Sequence, residues 1–327
     1  MDYKKFEDCV KTRIQEHLQS EGYEKDYKIS KVVDAEKNTD CLHVVIPKLE
    51  SEFKVDMSSM YSAFKKIQNM EFMLTKVSQL IAMALEKWDP ESKFDYDKVK
   101  ERLFIKVQNL EQNKDAMKNR VYTPIADLAI TYHGLIRVDA YGRVAFEIRQ
   151  KELESYGIKL EELHKDAIQN AARLFPCKVV DMDENLEEIS LANGDLRNMM
   201  RDLESIQLQG KSTVIVTNSC QLGGAAALFY PDTMETLSRA ASGNYFIIPV
   251  SVDELMVFSD DGSTELSVIN ADLQYSNRYF IQKDMHLGDE AYYYDAKNKI
   301  FDKASNFTHL LGQSENQKLT GPVGQGM

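Results

Sequence analysis

The sequence predicts an α+β fold: a helix-rich N-terminal part, then antiparallel sheet units packed with helices. Three observations carry that prediction. Residues 3–20 and 56–88 space their apolar side chains as helices do. Residues 27–47 switch to β-rich runs around a polar break. Beyond residue 120, paired short strands joined by turn residues alternate with helices, as ββα over 126–174 and ββαββ over 212–262.

The elements follow in order. Phe6, Val10, Ile14 and Leu18 recur every four residues and form one ridge, with His17 at its boundary. KISKVV and CLHVVIP, separated by DAEKNTD, read as a hairpin that includes His43. Helices are predicted over 56–68 and 70–88, the second with Met73, Val77, Leu80, Ile81, Ala84 and Trp88 on one face. Methionines crowd this stretch, and at helical spacing they read as core rather than as a promiscuous binding surface. Pro90 breaks the pattern. RLFIKVQ reads as a strand, a polar helix runs to about 119, and YTP marks a turn.

DLAITYHGLIRV and RVAFEIR flank Asp139-Ala140-Tyr141-Gly142 as a hairpin, and helices follow at 150–157 and 160–174, the second ended by Pro176. A further helix is expected around 195–205. TVIVTN and AAALFY read as strands. PDTMETLSRAASG reads as a helix with Pro231 near its start, Asp232 as cap and Gly243 past its end. NYFIIPVS and ELMVFS read as strands, 264–276 as a helix, and AYYYDAKNKIF as a last hairpin around Lys297-Asn298. The two ββα stretches raise the possibility of a duplicated plan. The expected divisions are 1–120, 121–302, and a flexible polar tail at 303–327.

Composition narrows function. The chain has 327 residues, 43% hydrophobic and 28% charged, which suits one large or two ordinary globular domains. Net charge is −12 and the pI about 5.1, so a phosphate backbone is repelled at long range and nucleic acid is an unfavoured partner. The four cysteines, Cys9, Cys41, Cys177 and Cys220, are widely and irregularly spaced, which predicts free thiols in a reducing cytoplasm. MDYKKFEDCV carries no apolar stretch after its lysines, and MEFMLTKVSQLIAMALEKW is interrupted by Glu71, Lys76, Ser78 and Gln79. Neither a signal peptide nor a membrane span is expected.

Several stretches resemble chemical motifs. In NSCQLGGAAALFYP, Cys220 lacks the small flanking residues of a nucleophile elbow, and the stretch reads as a hairpin turn through Gly223 and Gly224. Its candidate bases are His133, His164 and His286, and the sequence alone places none of them beside it. Gly210-Lys211-Ser212-Thr213 ends like a P-loop, but Ser205 stands at the first glycine position and a strand follows where a helix should. DMDEN starts like a calcium loop, but Leu186 and Ala192 replace the turn glycine and the closing glutamate, leaving an acidic loop. Asp253-Glu254 and Asp260-Asp261 read as turn chemistry, and Tyr292-Tyr293-Tyr294 as an edge strand. Metal-ligand clusters and dinucleotide loops are missing, so no metal or cofactor is expected.

TNSCQLGGAAALFYP, GNYFIIPVSVDEL, the DDG at 260–262, DLAITYHGLI and LFPCKV together resemble a bacterial family of the domain-of-unknown-function class, common in gut-dwelling Gram-positive anaerobes. The resemblance implies a cytosolic α+β protein and transfers no catalytic residue. The family's form near residue 250 is similar to PSSxHE, and here Pro249-Val250-Ser251-Val252-Asp253-Glu254 lacks the histidine.

The leading functional expectation is a non-catalytic cytosolic binding or interaction protein, its partner a protein or small molecule. The alternative is a hydrolase or transferase with polar groups at the strand ends of 212–262. Its candidate residues are Asn218, Cys220, Ser251 and Glu254.

Overall fold

A computed structural model describes the chain except for residues 24–25, 35–38, 50, 88, 119, 140–141, 193–194, 209–211, 308–309 and 311–327. The elements begin with α1 (Tyr3–Ser20), β1 (Lys28–Asp34), β2 (Thr39–Ile46), β3 (Ser51–Asp56), α2 (Met57–Ile67) and α3 (Met70–Leu85). Next come α4 (Tyr96–Val99), β4 (Leu103–Asn109), α5 (Lys114–Met117), β5 (Tyr122–Ile125), β6 (Leu128–Asp139) and β7 (Gly142–Glu147). Then follow α6 (Gln150–Tyr156), α7 (Leu160–Leu174), β8 (Cys177–Asp181), α8 (Met182–Leu191), β9 (Arg201–Asp202) and β10 (Thr213–Asn218). The last are α9 (Thr233–Ala240), β11 (Tyr245–Ile248), β12 (Leu255–Ser259), α10 (Leu266–Tyr279), β13 (Tyr292–Asp295) and β14 (Ile300–Lys303). Helices and antiparallel sheets together make the fold α+β.

The chain divides into two compact units. The first is Met1–Asp95 with Leu135–Phe146; the second is Tyr96–Gly134 with the described residues from Glu147 onward. The sequence places its main boundary at 120 instead, because nothing in it marks 135–146 as returning to the first unit.

In the first unit, Asp2 caps α1 by accepting from the Lys5 amide at 2.9 Å. The ridge Phe6, Val10, Ile14 and Leu18 is fully buried, each side chain contributing roughly 1.5–3 kcal/mol of burial. It packs with Leu42, Val44 and Ile46 of the sheet β1-β2-β3 and with Phe64, Met73, Val77 and Ile81 of the following helices. His17, expected at the ridge boundary, is fully buried. In α3 the buried face is Met73, Val77, Ser78, Ile81 and Ala82, and Leu80 is exposed. The helical phase explains this: a stripe centred between 77 and 82 turns position 80 away. Trp88 lies outside the described residues. Ile136 and Val144 pack on Ala82, while Arg137 binds the carboxylates of Glu21 and Glu86.

The second unit holds a seven-stranded sheet in the order β14-β13-β11-β12-β10-β8-β9. Its paired strands are antiparallel. Beside it, β4 and β5 pair with β6 from either side, and α7 packs on β4.

Several stretches depart from what their sequence predicts. AAALFY is not a strand: residues 224–229 form a 3₁₀ turn in which all six are buried, so the opening half of 212–262 is not a hairpin and the duplicated plan does not extend to it. Residues 195–205 are not a helix but two 3₁₀ turns around β9. YTP belongs to β5. DMDEN is not a loop: Asp181 caps α8 by accepting from the amides of Asp183 and Glu184. The strands β3 and β8 are additions to the expected elements: SEFKVD of β3 does alternate, with Phe53 and Val55 toward the core, whereas CKVVD of β8 carries no clear alternation. Beyond residue 303, Ala304 and Leu310 are buried and Phe307 packs on Tyr293. Lys303 ends β14 and Ala304–Asn306 form a 3₁₀ turn, so the expected tail does not begin at 303; residues 308–309 and 311–327 lie outside the described residues, as do Gly210 and Lys211 of the P-loop-like stretch and Ala140 and Tyr141 of the predicted turn.

Candidate functional site

The four candidate residues fall in one neighbourhood, built by the turn after β10 and the loop between β11 and β12. Gly223 takes a left-handed conformation with φ 61°, which glycine adopts freely. Gly224 is there for space: a Cβ would collide with Thr217 Oγ1 and Asp253 O and lie 2.9 Å from the Asn218 amide nitrogen. The loop closes on this turn. The Gly223 amide donates to Asp253 Oδ1 at 2.5 Å, the Ala225 amide to Val252 O at 3.1 Å, and Thr217 Oγ1 to Asp253 O at 2.8 Å.

Within the neighbourhood, Asn218 is occupied as a turn former. Its Oδ1 accepts from the Cys220 amide at 3.1 Å and from Cys220 Sγ at 3.2 Å, and its Nδ2 donates to Leu222 O at 3.0 Å. Cys220 makes no hydrogen bond to a histidine among the described residues. Ser251 Oγ accepts from the Asp253 amide at 3.1 Å, an ST-type turn. Glu254 is the uncommitted member: its carboxylate has no hydrogen bond or ion pair among the described residues, and burial, aided by Asp253, raises its pKa. Cys177 faces Asn218 across the sheet, and burial pushes its thiol up to about 12, which keeps it a thiol. All four cysteines are free.

Elsewhere in the second unit is a cleft of about 290 Å³. Its geometry follows from register. Thr123 of β5 stands opposite Ile130 of β6, so Tyr132, two residues on, is the diagonal neighbour of Thr123 on the same face. Strand alternation turns His133 to the other face, where it stacks on Phe104 and bonds Thr131 at 3.0 Å. On α7, Leu163, Ala167 and Ala171 are buried, while His164 and Ile168, one turn apart, line the cleft.

Three groups then join: Thr123 Oγ1 lies 2.5 Å from the Tyr132 hydroxyl, which lies 2.8 Å from His164 Nδ1. The other ring nitrogen, Nε2, has no protein partner among the described residues. Burial lowers the His164 pKa and raises that of Tyr132 to about 12, so both are neutral near pH 7. The 3₁₀ turn supplies Leu228 and Phe229, α9 supplies Met234 and Glu235, β13 supplies Tyr294, and the turn after it supplies Lys299. Lys299 and Glu235 pair at 3.4 Å at the rim, Lys299 exposed and Glu235 half-buried. The lining is thus apolar and aromatic, with a neutral imidazole on one wall and a mutually neutralised ion pair on another.

A family model described as a family of unknown function, DUF5688, matches residues 3–296. The chain belongs to the DUF5688 family. Searches of curated proteins and of solved structures give no match. The DUF5688 match covers the turn neighbourhood and every cleft residue except Lys299. Its description assigns no chemistry, so residue roles in this DUF5688 chain rest on geometry. Sequence reasoning named His164 as one of three histidines but missed its partners, because Pro124 made β5 read as a turn. The available signal was the alternation of Ile130 and Tyr132, which puts a hydroxyl on the face of an apolar strand. Among the described residues no group of three or more histidine, cysteine or carboxylate side chains is arranged to hold a metal, and no helix is long and apolar enough to cross a membrane.

Proposed function

We propose that this chain is a non-catalytic small-molecule-binding protein whose site is the cleft beside His164. The observation that carries the reading is the meeting of an apolar, aromatic-lined cleft with a ring nitrogen that no protein group among the described residues occupies. The reading is non-catalytic because the Nδ1 partner is a neutral tyrosine. A carboxylate there would stabilise an imidazolium and favour general-base chemistry; tyrosine does not. The hydrolase or transferase reading, acting from Asn218, Cys220, Ser251 and Glu254, draws less support. Cys220 donates its thiol to Asn218 rather than meeting a base, and Ser251 is engaged in its own turn. The free thiols and acidic balance agree with a cytosolic setting and with a partner other than nucleic acid.

The test is a thermal-shift screen of metabolites and nucleotides on the wild type and on Ile168→Trp, which fills the cleft. A ligand at a hundred times its dissociation constant stabilises by about 2.7 kcal/mol, a shift of a few degrees. A hit lost in Ile168→Trp supports the reading; hits that persist in it contradict the reading.

A further inference from the structure

We infer that the cleft selects ligands with an uncharged polar head group, an alcohol or a carboxamide, on an apolar body. This rests on the reading of the cleft as a ligand site and names what that site takes.

The chain Thr123–Tyr132–His164 has two arrangements that hold the same protons. In one, the threonine hydroxyl donates to the tyrosine oxygen, the tyrosine hydroxyl donates to Nδ1, and Nε2 carries a hydrogen. The cleft then sees a donor. In the other, Nδ1–H donates to the tyrosine oxygen and the tyrosine hydroxyl donates to Thr123 Oγ1. Nε2 is then an acceptor, and the threonine hydrogen is released toward the cleft, which Thr123 also lines. The relay therefore meets either polarity of a ligand hydroxyl or amide without creating charge.

An ionised head group has no such provision. The full charges lining the cleft are Glu235 and Lys299, and each already neutralises the other. A carboxylate or an ammonium placed against Phe229, Tyr294 and Ile130 would lose its hydration with no free counter-charge to replace it. Protonating His164 to meet a carboxylate would put an imidazolium on Tyr132, a hydroxyl that stays neutral.

The experiment compares four probes with one body: 3-phenylpropanol, 3-phenylpropionamide, 3-phenylpropionate and 3-phenylpropylamine. Each is titrated into the wild-type protein while the His164 ring nitrogens and the isoleucine methyls are followed by NMR. Binding of the alcohol and the amide at least about tenfold tighter than the two ions, with His164 remaining neutral, is the expected result. His164→Ala should narrow that preference; the wild-type ring signals decide the matter if the variant folds poorly. Equal or tighter binding of the carboxylate or amine overturns this inference while leaving the cleft as a site. Absence of any perturbation at His164 and the cleft isoleucines with all four probes overturns both.

Discussion

His164 is a neutral imidazole because burial disfavours its charged form, and its folded pKa lies below the ordinary 6.5. As pH falls below about 6.5, the unfolded chain takes up a proton that the folded imidazole refuses, so stability rises with pH across that window. His164→Gln is expected to flatten the pH dependence of Tm between about pH 5 and 7, measured against the wild type. Glu254 has the opposite sign. Its folded pKa is raised above the ordinary carboxyl value of 4.5, so the fold prefers its protonated form, and stability is lost as pH rises through the raised pKa. Glu254→Gln is expected to raise Tm at pH 7, with the gain vanishing below about pH 4.5; equal Tm values at both pH extremes would contradict this. Gly224→Ala is expected to cost about 3 kcal/mol or more in chemical denaturation, because its Cβ meets backbone as well as the Thr217 hydroxyl. At this scale the sequence reads the stretch around Cys220 as the turn of a hairpin, and the chain does turn there, but into a 3₁₀ turn rather than a second strand. The sequence did not show that Asn218 holds the thiol, since that bond depends on the local φ/ψ of residues 219–221.

Among the elements, the amphipathic helices were the most legible. Phe6, Val10, Ile14 and Leu18 declared α1 by spacing alone, and Tyr292–Asp295 with Ile300–Lys303 declared the last hairpin. Residues 224–229 were not legible. An all-apolar run of six is compatible with a buried strand or a buried turn, and periodicity cannot separate the two. What decides the case is tertiary: the loop at 251–254 seats its backbone against Gly223, Gly224 and Ala225. Asp253 is the fastening, and Asp253→Ala is expected to cost about 1–3 kcal/mol by leaving the Gly223 amide without its acceptor. Because this turn also carries Leu228 and Phe229, the same variant should weaken any ligand of the cleft. β5 was lost to a different cause. Pro124 lacks a ladder hydrogen, which on sequence alone demotes a strand, yet an edge position tolerates it. That error hid Thr123, and with it the relay.

For the whole molecule, the α+β class follows from the alternation of helical and β periods and needed no long-range information. The division into units did need it. The first unit takes in Leu135–Phe146, far along the chain, and local composition carries no sign of that return. The net charge of −12 is a whole-molecule property with a consequence of its own. Self-repulsion is screened as salt rises, so Tm should increase modestly from about 10 to 150 mM NaCl, where the Debye length shortens from about 30 to 8 Å. Binding of an uncharged ligand should be nearly indifferent to the same change. Whether the cleft beside His164 holds the ligand is decided by a crystallographic fragment screen of the full chain. Fragments are expected to bind with a polar head within hydrogen-bond distance of His164 Nε2 and a body against Phe229 and Tyr294. Fragments gathering elsewhere, with this cleft empty throughout, would contradict that expectation.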